Sequence, residues 1–488
     1  MQNAMALRCA PDRFKNHSEI AETTGGDMDK TRKTACSIRD LRPLQEERFQ
    51  RQMDLVFAGH PYYREVFGRE GLTRADFRSL DDLTRLPLTR KEDYIARPQE
   101  FRLHLDQVEG MSREERTIWD IIYTAGSTSD PTPFFDTSYD HYARISQLKR
   151  TAEIAGITEQ DTVMNLFPLT SVPHQGFLSV LWGSQAVGAK MVSAFGGSFD
   201  GGFHLIRRSR EAIDLIERQR VTVIWGIGFF LRRLVITAQE MGRDFSSVRL
   251  ALPMGEGSSA GMREDLRRRL VDLGARNVRV LNGYGFTEMQ GPSMECSELR
   301  GFHLPKPARY FFEILNPKTF ERVPEDQPGL VVMTHLDRRG TCLLRYLVGD
   351  ICTLSSEPCP ACGGWEPRFS SIPHRTGSIV KVKGTLVNVP ALVDVLSGIQ
   401  GIEEYEIILT QTDPTDPFSE DVMLVKTACS QDGFSSISSQ IREAVRRSQE
   451  VTPEVECVPL EHFADSQMNY KFKRFKDERV RFQQKVRT

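Results

Sequence analysis

Apolar positions along the chain recur in two patterns, one with a helical period and one of short apolar runs that end at glycine or in polar loops. From Arg42, apolar residues at helical spacing predict a helix that ends near Gly59, and a second such stretch covers 262–273. Residues 221–226 form an apolar run that predicts a buried strand. Segment 161–188 reads as a strand, a proline-containing loop and a helix rich in small residues. This βα rhythm predicts a mostly parallel sheet covered by helices.

The pattern changes twice more, and these changes suggest the domain organisation. Residues 1–35 are polar with little periodicity, which predicts a flexible tail. After Pro390, two apolar strands and one amphipathic helix predict a separate compact unit. At 488 residues the chain is too long for one ordinary core. We therefore expect an α/β fold with a large N-terminal domain of several subdomains over 36–373 and a small α+β domain over 374–488.

Composition and charge argue against two classes of protein, those that bind nucleic acid and those that span a membrane. A formal charge of −2 with 27% charged residues gives no sign of a nucleic-acid-binding protein. No apolar run approaches the roughly 20 residues of a membrane-spanning helix, and the N-terminus lacks the apolar core of a secretory signal. The expectation is a cytoplasmic protein that contacts neither membrane nor nucleic acid. Nine cysteines, an odd number, favour thiols or metal ligands over a disulfide framework.

The stretch 281–303 concentrates the candidate chemistry. An apolar strand ends near Leu281, and Gly283 and Gly285 in the following loop permit conformations that larger residues resist. Loops at strand ends are where α/β sheets bind ligands. Glu288 is a hard oxygen ligand suited to Mg²⁺ beside a polyphosphate. A turn with a solvated glutamate is the alternative.

A second loop follows the apolar run at 121–123. Its small and hydroxyl-bearing residues Gly126, Ser127 and Thr128 could wrap a phosphate with backbone N–H groups and side-chain hydroxyls. A Ser/Thr turn before a helix is the alternative reading.

Four residues have the chemistry of a zinc site. Cys359 and Cys362 form a knuckle with two intervening residues, while Cys296 and His303 lie in the stretch described above. Zinc favours four nitrogen and sulfur ligands in a tetrahedron, and a closed set of this kind is structural rather than catalytic. Cys352 is a substitute ligand, and buried free thiols are the alternative.

The sequence from Tyr284 to Glu288, YGFTE, resembles the Tyr-Gly-x-Thr-Glu motif of the adenylate-forming enzymes, which include acyl-CoA synthetases, peptide-synthetase adenylation domains and luciferases. The chain looks most like the phenylacetate-CoA ligase branch. Residues 124–132 are similar to the phosphate loop of that superfamily, although Ser129 and Thr132 replace its second glycine and its lysine. Segments 254–257, 344–350, 374–384 and 471–479 resemble its adenine, ribose, hinge and closing motifs.

The resemblance implies roles for individual residues. Lys471, with Lys473 in reserve, would reach the α-phosphate and the carboxylate oxygen, and Glu288 and Thr128 would complete the catalytic set. The implied nucleotide-binding residues are Gly126, Ser127, Thr128, Gly255, Glu256, Tyr284, Gly285, Thr287, Asp350, Arg375 and Lys471. The implied acid pocket is lined by Phe167, His174, Trp225, Gly226 and Tyr284. His174 is equally a candidate for a structural role. In the family the hinge lets the small domain move between half-reactions.

The implied activity is ATP-dependent conversion of a carboxylic acid, aromatic by analogy, to an acyl-adenylate, with transfer to coenzyme A. ATP, Mg²⁺ and a structural Zn²⁺ are the expected cofactors, and a small-molecule acid is the expected partner. Two alternatives stay open at this level. The acyl acceptor could be an amine or a carrier protein, or the activated oxyanion could be nitrite in place of a carboxylate. Alternatively, the altered motifs could mark a non-catalytic nucleotide-binding scaffold. A homodimer is also left open.

Overall fold

The computed structural model describes residues 38–106, 108–123, 131–167, 175–193, 209–255, 260–370, 374–375, 379–383, 385–413, 419–463 and 474–479. Helices and sheets follow one another along this part of the chain, and the α/β fold class is confirmed. The tail predicted over 1–35 lies outside the described residues. No helix among those described is both long enough and apolar enough to cross a membrane.

A helical segment opens the described chain. Its helices are α1 Ile38–Gly59, α2 Pro61–Glu70, α3 Lys91–Ala96 and α4 Arg113–Arg116. α1 ends at Gly59, as the apolar spacing predicts. A Cβ at Gly59 would lie 2.3 Å from the carbonyl oxygen of His104, so the close approach of these two segments requires glycine.

An antiparallel hairpin then leads into a long helix. The elements are β1 Ile118–Tyr123, β2 Pro133–Thr137 and α5 Ser138–Ala155. The Thr137 side chain accepts a hydrogen bond from the backbone N–H of Asp140, which caps the first turn of α5. The hairpin therefore brackets residues 124–130, where the sequence predicts the phosphate loop.

The predicted parallel sheet has five strands in the order β4-β3-β5-β6-β7. Its elements are β3 Thr162–Asn165, α6 Gln175–Ala186, β4 Lys190–Ser193, α7 Ser209–Arg218, β5 Val223–Ile227, α8 Gly228–Glu240, β6 Leu250–Met254, α9 Ala260–Asp272 and β7 Arg279–Val280. The central strands are buried along their whole length, because helices cover both faces. The carboxyl ends of the parallel strands thus form one edge from which the candidate ligand loops leave.

Two antiparallel sheets follow. Their strands are β8 Gly283–Tyr284, β9 Ser293–Met294, β10 Phe302–His303, β11 Tyr310–Leu315, β12 Gly329–His335, β13 Tyr346–Cys352, β14 Leu354–Ser355, β15 Arg368–Phe369 and β16 His374–Arg375. One sheet has the order β14-β15-β10-β9-β8 and the other β11-β12-β13-β16. Since β16 pairs with β13, this sheet extends to Arg375.

The part of the chain after Arg375, predicted as the small domain, has its own sheets and apolar cluster. Its elements are β17 Ile379–Val382, β18 Thr385–Asn388, α10 Val389–Ser397, β19 Glu404–Gln411, β20 Asp421–Ala428, α11 Phe434–Gln449, β21 Glu454–Cys457 and β22 Phe475–Asp477. β17 and β18 form a hairpin, and the other strands form a mixed sheet in the order β21-β20-β19-β22. Apolar side chains from these strands and from α10 and α11 pack into one cluster. The amphipathic helix predicted after Pro390 corresponds to α11, whose buried face includes Ile437, Ile441 and Val445.

Candidate active site

Glu288 lies on a single helical turn, Thr287–Met289, that directly follows β8, and the turn is fixed from two directions. The imidazole Nε2 of His335 lies 2.8 Å from the carbonyl oxygen of Glu288. Nδ1 of the same ring accepts a hydrogen bond from the backbone N–H of Leu343, so Nε2 carries the proton and donates it. The Tyr346 hydroxyl donates to Oε1 of Glu288 over 2.7 Å. The candidate magnesium ligand is therefore held at both its backbone and its carboxylate.

Protonation states favour this arrangement. Burial is the main reason that the pKa of His335 lies well below its usual value, and nearby Arg338 adds to the effect, so the ring is neutral. Burial likewise raises the pKa of Tyr346 well above the usual value, and the neighbouring Glu288 carboxylate raises it further. Tyr346 consequently remains a hydrogen-bond donor at any ordinary pH.

Two distant motifs meet at Tyr284. Its hydroxyl donates to Oδ2 of Asp350 on β13 over 2.8 Å, across 66 residues of sequence. Asp350 is also the register partner of Arg375 on the neighbouring strand β16. Three residues assigned to nucleotide binding from separate segments thus lie side by side.

Glycine is required at two predicted site positions because backbone or side-chain atoms approach closely. A Cβ at Gly285 would lie 2.9 Å from Cα of Pro292, and one at Gly226 would lie 2.6 Å from Cβ of Leu166. Gly255, at the end of β6, has φ +84°, a conformation that side-chain-bearing residues rarely adopt.

Three of the residues predicted to line an acid pocket lie in or against apolar clusters. Phe167 and Trp225 pack in one apolar cluster with Leu281 and Met294, and the Trp225 indole N–H donates to Sδ of Met254. Trp225 is 1% exposed, so its ring is a core side chain in this conformation. Tyr284 packs against another cluster, with its ring at 85° to the Phe369 ring.

Several predicted site residues lie outside the described part of the chain. They are Gly126, Ser127, Thr128, His174, Glu256 and Lys471, and the Arg375 side chain is also outside it. Their roles stay predictions.

The four predicted zinc ligands converge. Their ligand atoms, from Cys296, His303, Cys359 and Cys362, all lie within 4.8 Å of one another. The Cys296 and Cys359 sulfurs are 3.6 Å apart, and the Cys362 sulfur is 3.7 Å from Nε2 of His303. Zinc–sulfur bonds of about 2.3 Å in a tetrahedron separate neighbouring ligands by about 3.8 Å. The donor set and its spacing therefore fit a tetrahedral zinc ion.

The surroundings of the four ligands also suit a metal. Burial opposes ionisation of Cys359, but the backbone N–H groups of Cys362 and Ala361, together with the side chains of Cys296 and His303, lower the pKa of this thiol to about 6. Oε2 of Glu366 lies 3.8 Å from Nδ1 of His303, and the other carboxylate oxygen accepts a hydrogen bond from Nη2 of Arg150 over 2.5 Å. A carboxylate behind a ligand histidine is the usual way to fix its orientation.

Sequence reasoning assigned no role to four residues of these sites: Tyr346, His335, Glu366 and Arg150. His335 and Arg150 have no local signal, because their contacts span 47 and 216 residues of sequence. Glu366 does have a local signal in the sequence, because it follows Cys362 closely in the knuckle segment.

Comparisons with known proteins agree with the motifs. Residues 71–335, more than half of the chain, match the family model described as AMP-binding enzyme. The chain is 28% identical over 411 residues to the phenylacetate-coenzyme A ligase of Thermus thermophilus. This match covers 83% of the present chain and 86% of the ligase. It is 24% identical over 358 residues to the Escherichia coli phenylacetate-coenzyme A ligase, covering 72% and 75%.

A solved structure has the same fold. The crystal structure of 2-hydroxyisobutyryl-CoA ligase in the postadenylation state superposes with a TM-score of 0.72 at 20% identity and covers 90% of each chain. Family match, relatives and fold agree, and the protein belongs to the AMP-binding enzymes, in the phenylacetate-CoA ligase-like branch of the ATP-dependent, AMP-forming acid ligases.

Proposed function

We propose that the protein activates a carboxylic acid with ATP and transfers the acyl group to coenzyme A. The observation that carries this proposal is the Tyr284–Asp350 hydrogen bond, which brings the strand-end motif and the ribose motif to one place. A carboxylate that already accepts a tyrosine hydroxyl is held in one orientation, and the geometry of a carboxylate suits hydrogen bonds from the two hydroxyls of a ribose.

The chemistry proceeds in two displacements. An oxygen of the acid attacks the α-phosphorus of ATP, the bond to the bridging oxygen breaks, and pyrophosphate leaves. The thiol sulfur of coenzyme A then attacks the acyl carbon, AMP leaves with the oxygen, and the thiol proton is released. The first step needs alignment and charge neutralisation more than covalent help, which suits Tyr284, Asp350 and the cationic Lys471.

Glu288 is the residue that would hold Mg²⁺. Its carboxylate is oriented by Tyr346, and a single carboxylate plus substrate oxygens is the ligand set that this ion prefers. When bound, the ion would neutralise phosphate charge during the displacement.

An aromatic acid is the proposed substrate class. The curated relatives that support it are named phenylacetate-coenzyme A ligases. The same names support coenzyme A as the acceptor, in preference to an amine or a carrier protein.

The proposal is tested by pyrophosphate release from ATP with a panel of aryl and alkyl acids, each with and without coenzyme A. We expect release that needs an aryl acid and is accompanied by thioester formation when coenzyme A is present. Asp350→Asn should lower turnover about a hundredfold, because it loses charge-assisted hydrogen bonds. Asp432→Ala, a change at an exposed position of the small domain, is the control. Release that an amine stimulates and coenzyme A does not affect would contradict the assigned acceptor.

We also propose that Cys296, His303, Cys359 and Cys362 hold a structural zinc ion. These residues lie on or between strands of the sheet that contains Tyr284, so the ion would connect the β9–β10 segment to the knuckle between β14 and β15. With four protein ligands the ion has no vacant position for catalysis. Elemental analysis of protein purified without chelator should find about one zinc per chain, and a content well below half would count against the site.

A further inference from the structure

Strand β9 lies between the predicted zinc ligands and Tyr284. On one side it pairs with β8, where Tyr284 is the register partner of Ser293. On the other side it pairs with β10, where His303 is the register partner of Met294. Cys296 follows the end of β9 by two residues. Two of the four ligands therefore flank the strand that pairs with the motif strand β8.

Ser293 attaches β9 to the backbone of Tyr284. Ser293 is buried, and its hydroxyl donates to the carbonyl oxygen of Tyr284 over 2.6 Å. The Tyr284 hydroxyl donates in turn to Asp350, the residue assigned to the ribose. Because β9 holds the backbone of Tyr284, the position of β9 determines where that hydroxyl lies.

Glu295 provides a second attachment, directly before the ligand Cys296. Its buried carboxylate accepts hydrogen bonds from the backbone N–H of Asn282 over 2.9 Å and from Nη1 of Arg263 over 2.6 Å. Its own backbone N–H donates to the carbonyl oxygen of Asn282 over 3.1 Å. Asn282 directly precedes β8. The residue beside one zinc ligand is therefore bonded twice to the residue at which the motif strand begins.

The strands between these attachments are short. β8, β9 and β10 have two residues each, so few ladder hydrogen bonds keep them in register. Order in such a region depends on side-chain attachments and on cross-links between segments. An ion held by the four ligands would be such a cross-link, and it would favour the arrangement of β9 that places Tyr284 beside Asp350.

We propose that zinc binding raises the affinity of the protein for nucleotide, acting through β9 and its two attachments to the Asn282–Tyr284 segment. The inference rests on the proposed function and on the proposed zinc site, and it adds regulation by the metal to both. Two ligands that favour the same arrangement of the chain bind cooperatively, and the effect is reciprocal. Nucleotide should therefore raise zinc affinity by the same factor, which for coupling of this kind is about fivefold or more.

The test compares AMP binding by zinc-loaded protein and by protein that has been stripped with a chelator and then freed of it. AMP is the probe because it carries the ribose and lacks the triphosphate, which would itself chelate zinc. Calorimetric titration should give a Kd at least about fivefold lower for the loaded protein. Saturating AMP should lower the Kd for zinc by the same factor, measured by competition with a chromophoric chelator.

Ser293→Ala tests the route through β9. It removes the 2.6 Å hydrogen bond to Tyr284 and leaves all four zinc ligands in place. The ratio of AMP affinities in the loaded and stripped states should fall about twofold or more, because one of the two attachments is lost. A purely structural contribution of Ser293 would lower AMP affinity equally in both states and leave the ratio unchanged.

Ser247→Ala is the matched control. Its hydroxyl donates to the carbonyl oxygen of Val221 over 2.8 Å, so the variant loses the same kind of bond outside the sheet that contains β9. It should keep the full zinc dependence of AMP binding. Cys362→Ser removes an exposed ligand and gives zinc-depleted protein without chelator treatment, and it should bind AMP as weakly as stripped protein.

The outcomes separate the proposals. Zinc-loaded protein that binds neither AMP nor ATP refutes the proposed function. Equal AMP affinity in the loaded and stripped states, or equal affinity ratios in Ser293→Ala and Ser247→Ala, refutes the coupling while the proposed function stands. Protein that binds AMP and takes up no zinc refutes the zinc site and the coupling together.

Discussion

Tyr346 and His335 hold one glutamate, the first at its carboxylate and the second at its carbonyl oxygen. Neither residue is a ligand in the proposed scheme, yet together they decide where the Glu288 carboxylate points. A metal ligand whose orientation is already fixed loses less conformational entropy on binding.

Tyr346→Phe tests this role. The ring and its packing remain, but the 2.7 Å hydrogen bond to Glu288 is lost. A hydrogen bond of this kind is worth about 0.5–1.5 kcal/mol, so the Mg²⁺ concentration for half-maximal pyrophosphate release should rise about twofold to 13-fold. Titration of pyrophosphate release with Mg²⁺ measures this rise in the half-maximal concentration.

The control is Tyr139→Phe, which removes a tyrosine hydroxyl from another carboxylate, that of Asp337. It should leave the Mg²⁺ titration unchanged. An equal shift in both variants would mean that Tyr346 affects the enzyme only through general stability.

At the scale of elements, the sheet β14-β15-β10-β9-β8 contains residues of two proposed sites. Tyr284 is on its edge strand β8, and His303 is on its central strand β10. The strands are only two residues long, so few ladder hydrogen bonds hold them together. A bound ion would supply the cross-link that such short strands lack.

Glu366→Gln tests how that ion would be held. The substitution keeps the shape of the side chain but removes the charge behind His303 and the ion pair with Arg150. Loss of such a partner typically lowers metal affinity about 10-fold to 100-fold. Competition for zinc with a chromophoric chelator measures the change.

Glu357→Gln, an exposed change in the same segment, should retain the affinity of the unmodified protein. If Glu366→Gln also retains it, the carboxylate is a structural partner of Arg150 and not of the metal site.

At the scale of the whole molecule, a buried charge network connects the β1–β2 hairpin to the segment that follows β12 in the sheet β11-β12-β13-β16. Asp136 on β2 pairs with Arg144 on α5 and, over 2.5 Å, with Arg338 just beyond β12. Asp140 accepts a hydrogen bond from the backbone N–H of Gly340 over 2.7 Å. The network therefore fixes the strand that leaves the predicted phosphate loop against residues about 200 positions away.

Asp136→Ala should be strongly destabilising, because it leaves two buried guanidinium groups without their shared partner. The expected loss in the free energy of unfolding of the large domain is about 3–5 kcal/mol. Asp81→Ala, which removes an exposed carboxylate paired with Arg42 and Arg322, should cost about 0–1 kcal/mol. Denaturant unfolding compares the two, and similar losses would mean that the buried network is not what holds the hairpin.

The sequence by itself determined the elements and the chemistry of the motifs. Helix α1, the parallel strands and the small-domain helix α11 follow from apolar spacing, because burial of one face is a local periodic property. The four metal-ligand candidates and the Tyr284–Glu288 motif were likewise visible, since residue type and spacing carry that information.

Only the tertiary structure decided which of these residues meet and what holds them. The Tyr284–Asp350 bond, the His335 support of Glu288 and the Arg232 contact with Ile402 span 66, 47 and 170 residues of sequence. Such contacts leave no periodic trace, because each depends on how separate layers pack rather than on neighbours in the chain. Geometry also placed Trp225 in the core and Tyr284 beside Asp350. The spacing of residue types along the sequence identified the candidate residues, and the packing of the sheets determined which residues they contact.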